Sequence, residues 1–141
     1  GATDSELLFL LALGRIQTGM PADEAMWSVL DDAMALMRER GIEAPLRFAA
    51  VLADGERLHA FRISSDGSPP TLYLRRCKGG TIIASEPLCE SEAGWQMVPD
   101  GAVVTLDSTG CSVNERKATA LTTLTTLAAR SHRAALATSA A

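Results

Sequence analysis

The hydrophobic period of this chain changes once, at Pro45, and that change limits what it can fold into. Before it, Met26, Val29, Leu30, Ala33, Met34 and Met37 recur at helical spacing on one stripe. Pro21 suits a first helical position, and Asp23 and Glu24 suit the positive end of the helix dipole. Arg38 and Arg40 favour the negative end, and Gly41 supplies a C-terminal stop. The spacing therefore predicts an amphipathic helix laid on a core, its methionines serving as packing rather than as ligands. After Pro45 the pattern is strand-like. Residues 46–53 read as a strand, Asp54-Gly55 as a tight hairpin turn and residues 57–63 as the returning strand. Further strands are predicted at 72–75, 81–85 and 102–106, with a turn at Lys78-Gly79-Gly80 and a longer loop holding Trp95 and Pro99.

Several of these segments, residues 46–52 above all, are apolar on both faces, whereas a sheet covered on one side alternates cleanly. The expectation is a layered fold with helices on one face of an antiparallel sheet and another layer on the other. Nothing obvious in the chain supplies that other layer. At the N-terminus, Thr3-Asp4-Ser5-Glu6 has the form of a capping box. The run that follows, residues 7–13, is hydrophobic nearly all round, which predicts a helix buried on most sides. From Glu115 onward Ala, Thr and Leu dominate. Leu121, Leu124, Leu127 and Ala128 are compatible with one apolar face, so a helical tail over residues 115–141, frayed beyond Leu136, is expected after a domain of residues 1–114.

With 141 residues the chain can bury one core, and its net charge of −4 argues against nucleic acid or an anionic membrane as a main partner. No apolar run reaches the roughly 18 residues of a membrane span. Cys77, Cys89 and Cys111 are an odd set without C-x-x-C spacing, and with His59 and His132 they form no zinc pattern. No metal or cofactor is expected, and a reducing cytoplasm is the default compartment. The chain opens on Gly and enters helix-type sequence at once, so an upstream piece is expected to be missing.

No nucleophile is evident. Gly1 has none to offer, and Thr3 reads as a cap. A pair of Cys77 or Cys89 with His59 lacks an orienting third group and an oxyanion hole. His59 reads as a surface or interface residue, Trp95 as cover for a core edge, and Glu6 as part of the cap.

The ordered set of motifs nevertheless resembles a family, the class II glutamine amidotransferases of the small stand-alone bacterial type. Their T-D-[ST]-E signature stands here as Thr3-Asp4-Ser5-Glu6 after a Gly. Leu52-Ala53-Asp54-Gly55, Leu72-Tyr73-Leu74, Ala84-Ser85-Glu86-Pro87-Leu88, Trp95 and Pro99-Asp100-Gly101 follow in the family's order to about residue 107. The resemblance implies an α+β fold, part of an Ntn-hydrolase αββα sandwich, of which this chain is the C-terminal part. It also implies that Asp4 binds the α-amino group of glutamine, with Thr3, Ser85 and Glu86 as possible supports around it. The family's N-terminal catalytic Cys, its carboxylate-binding Arg and its His-Asn-Gly segment lie upstream of the signature and are not in this chain. The implied activity is hydrolysis of the glutamine side-chain amide to glutamate and ammonia, with this chain inactive alone. Hydrolysis of another γ-glutamyl amide, or a non-catalytic assembly role, are the alternatives. The implied partner is the missing N-terminal segment, or failing that a second copy held by an exposed apolar sheet face.

Overall fold

The computed structural model describes residues 3–88 and 94–116. Two helices come first, α1 (Asp4–Gln17) and α2 (Ala22–Glu39). Seven strands follow: β1 (Arg47–Ala53), β2 (Leu58–Ser64), β3 (Tyr73–Cys77), β4 (Gly80–Ala84), β5 (Trp95–Met97), β6 (Ala102–Asp107) and β7 (Gly110–Glu115). All pairings are antiparallel.

The helix boundaries follow from their caps. The Thr3 hydroxyl accepts from the Glu6 N–H at 3.2 Å and starts α1, although among the described residues the Glu6 carboxylate makes no return bond. Helix α2 begins at Ala22, so Pro21 sits at the cap position, one residue before its predicted place. It ends as its sequence predicts. Gly41, at φ 65°, lets its own N–H reach the Arg38 carbonyl and the Ile42 N–H reach that of Met37, satisfying two carbonyls the helix leaves open.

The strands divide into two sheets, ordered β1-β2-β6-β7 and β4-β3-β5. The layered fold expected from sequence is thus present, and the smaller sheet is the layer that no segment obviously supplied. In β2 and β6 alternate residues point to opposite faces. Phe61, Ile63 and Val103 join Met26, Val29 and Leu30 beneath the helices. Ala60, Ala102 and Val104 join Leu72, Leu74 and Val98 beneath the smaller sheet. Both faces of the central strands are thus covered by this chain, in the order helices, four-stranded sheet, three-stranded sheet. Full burial of side chains such as Phe61 and Leu30 contributes on the order of 1.5–3 kcal/mol each.

Two local expectations change, while the β1–β2 connection keeps its tight turn: Ala53 pairs with Leu58, and the Asp54 N–H reaches the Arg57 carbonyl at 3.2 Å. Asp54 holds it together, its carboxylate accepting from the N–H groups of Glu56 at 2.9 Å and Arg57 at 2.7 Å. Strands β5 and β7 were not anticipated, and Glu115, assigned to the tail, is the last residue of β7. Helix α1 is not buried on most sides: it packs on α2 and fully buries only Ala12, while Leu7 is 56% and Leu10 55% exposed. The expected helical tail lies outside the described residues. None of the described helices is long and apolar enough to cross a membrane.

Candidate functional site

Asp4 is the first residue of α1, and its carboxylate stands exposed at the helix N-terminus. The N–H groups of that turn and the helix dipole favour a negative charge there. Among the described residues it has no hydrogen-bonding or ionic partner, so it is free to accept from a cation. Thr3 beside it is committed to the cap. Ser85 and Glu86 follow the end of β4 and are also exposed. No hydrogen bond or ion pair joins either of them to Asp4, so the four sequence-predicted positions do not form one bonded cluster.

His59 is where the structure departs most from the sequence reading. It is 3% exposed rather than superficial. Its Nδ1 lies 3.2 Å from the Thr105 hydroxyl across the β2–β6 pair, and its Nε2 lies 3.6 Å from the Asp54 carboxylate, beyond hydrogen-bonding distance. The N–H groups of Glu56 and Arg57 hold the Asp54 carboxyl below its ordinary value, with a smaller pull from His59. Neither described cysteine meets this histidine. Cys77 is exposed with its thiol on the Gly80 carbonyl at 3.2 Å, Cys111 is half-buried against the inter-sheet core, and Cys89 lies outside the described residues. No group of three or more His, Cys, Asp or Glu among the described residues is placed to hold a metal ion.

Trp95 lies in β5 opposite Arg75, whose guanidinium is 5.9 Å from its ring centroid. The β4-β3-β5 register puts Tyr73, Arg75, Ile82, Trp95 and Met97 on the face turned away from the central sheet. Ile82 and Met97 remain exposed there.

Sequence reasoning missed a polar knot at the end of the sandwich. Arg62 is buried, donating through Nε to the Pro70 carbonyl at 2.8 Å and through Nη1 to that of Val98 at 2.7 Å. Asp100 accepts from the Ser64 N–H and hydroxyl. The knot ties the loops of the smaller sheet to the end of β2. The available signal was an arginine inside the apolar run Ala60-Phe61-Arg62-Ile63, where a charge persists only if its donors are satisfied.

Two helices stacked on one antiparallel sheet, with a second sheet behind, make up three successive layers of an Ntn-hydrolase-like α+β sandwich. A solved structure described as a glutamine aminotransferase class-II domain protein from Silicibacter pomeroyi superposes on this chain with a TM-score of 0.72 at 33% sequence identity. The match covers 82% of this chain and 52% of that one, so the chain spans about half the length of its structural relative. The fold is that of the class II domain. No protein-family model matches the sequence. No curated protein matches it either.

Proposed function

We propose that this chain is the C-terminal part of a cytoplasmic class II glutamine amidotransferase domain, in which it supplies the clamp for the α-amino group of glutamine. The observation that carries the reading is the 33% identical relative, which shares the fold over 82% of this chain and is described as a class-II domain protein. The carboxylate of Asp4, exposed at a helix N-terminus and without a partner among the described residues, supports the assignment of the clamp. A charge-assisted pair between Asp4 and the substrate ammonium fixes one end of glutamine, and the side-chain amide is then presented to a nucleophile. That nucleophile is a cysteine thiolate from the upstream half. It adds to the amide carbonyl, the proton given up by the thiol passes to the amide nitrogen as the C–N bond breaks and ammonia leaves, and water hydrolyses the resulting thioester to glutamate and the free thiol.

The exposed apolar surface supports the upstream half as the partner. Leu7, Phe9, Leu10 and Leu11 of α1, and Ile82 and Met97 of the smaller sheet, are apolar groups that a fourth layer and its connections would cover. Joining the chain to the segment encoded upstream of Gly1 tests the reading. Ammonia release from glutamine should appear in the joined protein and be absent from the chain alone. A panel of γ-glutamyl amides assayed alongside glutamine sets the substrate. An upstream sequence without a cysteine nucleophile would leave only the assembly role.

A further inference from the structure

The four-stranded sheet ends on one side at β1, and the register of the β1–β2 hairpin fixes what that edge presents. The Asp54 N–H reaches the Arg57 carbonyl and the Ser65 N–H reaches that of Leu46, so both are hydrogen-bonded pairs. Bonded and non-bonded pairs alternate in an antiparallel ladder, which makes Phe48, Ala50 and Leu52 the residues bonded to β2. Arg47, Ala49, Val51 and Ala53 therefore aim their N–H and C=O groups away from β2. Among the described residues no strand lies on that side.

The side chains of the same four residues point to the smaller-sheet face, as do those of their partners Ala60 and Arg62. All four are exposed, Val51 by 51%, and no β1 residue joins the core beneath the smaller sheet. Natural edges are blunted by lysine, proline, bulges or brevity. Strand β1 has none of these: its seven residues pair in unbroken register and all but Arg47 are apolar. The charge of Arg47 is itself engaged, 2.7 Å from the Asp66 carboxylate. The opposite edge, β7, carries Ser112, Asn114 and Glu115 and offers no such apolar row. Just over half of the solved relative matches this chain, so a domain of that size holds enough further chain to supply a neighbour for β1.

We propose that β1 is the docking edge for the upstream half, an extended segment of which adds beside Arg47–Ala53 as a fifth strand and buries Val51. Main-chain hydrogen bonds to Ala49, Val51 and Ala53 would hold it, as in other cases of strand addition to an open edge. This docking presupposes that the chain is one half of a class II domain.

The test is amide hydrogen exchange, followed by NMR, in the chain alone and in the chain joined to the segment encoded upstream of Gly1. In the chain alone Phe48, Ala50 and Leu52 should be protected and Ala49, Val51 and Ala53 should exchange fast. In the joined protein the second set should slow by about tenfold or more, giving protection along the whole strand. V51P removes an outward N–H without touching a β1–β2 bond. In the joined protein it should strip the added protection from Ala49 and Ala53 while Phe48 and Leu52 keep theirs. Ammonia release measured on the same sample separates this docking from the glutaminase reading. Turnover with Ala49, Val51 and Ala53 still fast would overturn the docking edge alone, whereas protection without turnover would support the edge and count against the glutaminase reading. Protection of those three amides already in the chain alone would overturn the proposal, in favour of a second copy where it depends on concentration and of this chain's own residues where it does not. Protection of Ala49 and Ala53 unchanged by V51P would overturn it as well.

Discussion

Asp100 and Ser64 are joined by two hydrogen bonds, the serine donating its N–H at 2.8 Å and its hydroxyl at 2.9 Å to the two carboxylate oxygens. The pair fastens the loop between β5 and β6 to the end of β2, next to the buried Arg62. Removing it should loosen the end of the sandwich without opening a core cavity. D100A is expected to lower stability by about 1.5–3 kcal/mol, the range for hydrogen bonds to a charged group, and D100N by less. Urea denaturation of the two variants measures this.

Gly101 makes the next prediction. It sits at φ 75°, and a Cβ there would meet the Arg116 carbonyl at 3.1 Å. G101A should therefore cost more than the roughly 1 kcal/mol that a left-handed backbone alone imposes on Ala. Gly79 has no neighbour within 4 Å and no positive φ, so G79A should be close to neutral. Equal denaturation midpoints for the two would contradict the geometry at Arg116.

Three turn aspartates set the acid limb of stability. Asp54 is held below its ordinary value by the N–H groups of Glu56 and Arg57, Asp66 by the Arg47 guanidinium, and Asp107 by the Thr109 hydroxyl and N–H. A carboxyl with a depressed folded-state pKa binds its proton less readily than in the unfolded chain. Its contribution is complete above the unfolded value of about 3.9 and is lost as pH falls through the lower folded value. The denaturation midpoint should accordingly drop as pH falls below about 4, and D54N, D66N or D107N should each flatten that drop. A midpoint that rose on acidification would be inconsistent with these pairings.

Much of this architecture is legible locally. Helix α2 declares itself through its stripe and Gly41, and β1 and β2 through their apolar runs. The assignment of strands to sheets is not, because β2 pairs with β6 across the whole of the smaller sheet. Nothing near Ala60 or Val104 says which strand will lie alongside. Strand β7 hid for another reason: as an edge strand it is mostly exposed, and Ser112, Val113 and Asn114 carry no two-sided hydrophobic signal. His59 was misread because its environment depends on Thr105, a partner 46 residues away. At the site, the capping of Thr3 could be read from four residues, whereas the role given to Asp4 rests on groups that this chain does not contain.

For Asp4 the expectation separates binding from folding. In the domain joined to its upstream half, D4N should raise KM for glutamine about 10- to 150-fold, corresponding to loss of a charge-assisted hydrogen bond of about 1.5–3 kcal/mol. The helix itself should lose no more than about 1 kcal/mol, the worth of a carboxylate near its N-terminus. Steady-state kinetics and thermal denaturation of the same variant distinguish the two effects.

The most direct measurement is ammonia release from L-glutamine by this chain alone and by the same chain joined to the segment encoded upstream of Gly1. The account predicts turnover in the joined protein, lost when the upstream cysteine nucleophile is replaced by alanine, and none in the isolated chain. Turnover by the isolated chain, or no turnover by the joined protein with that cysteine in place, would contradict the claim that these residues are half of a glutamine site.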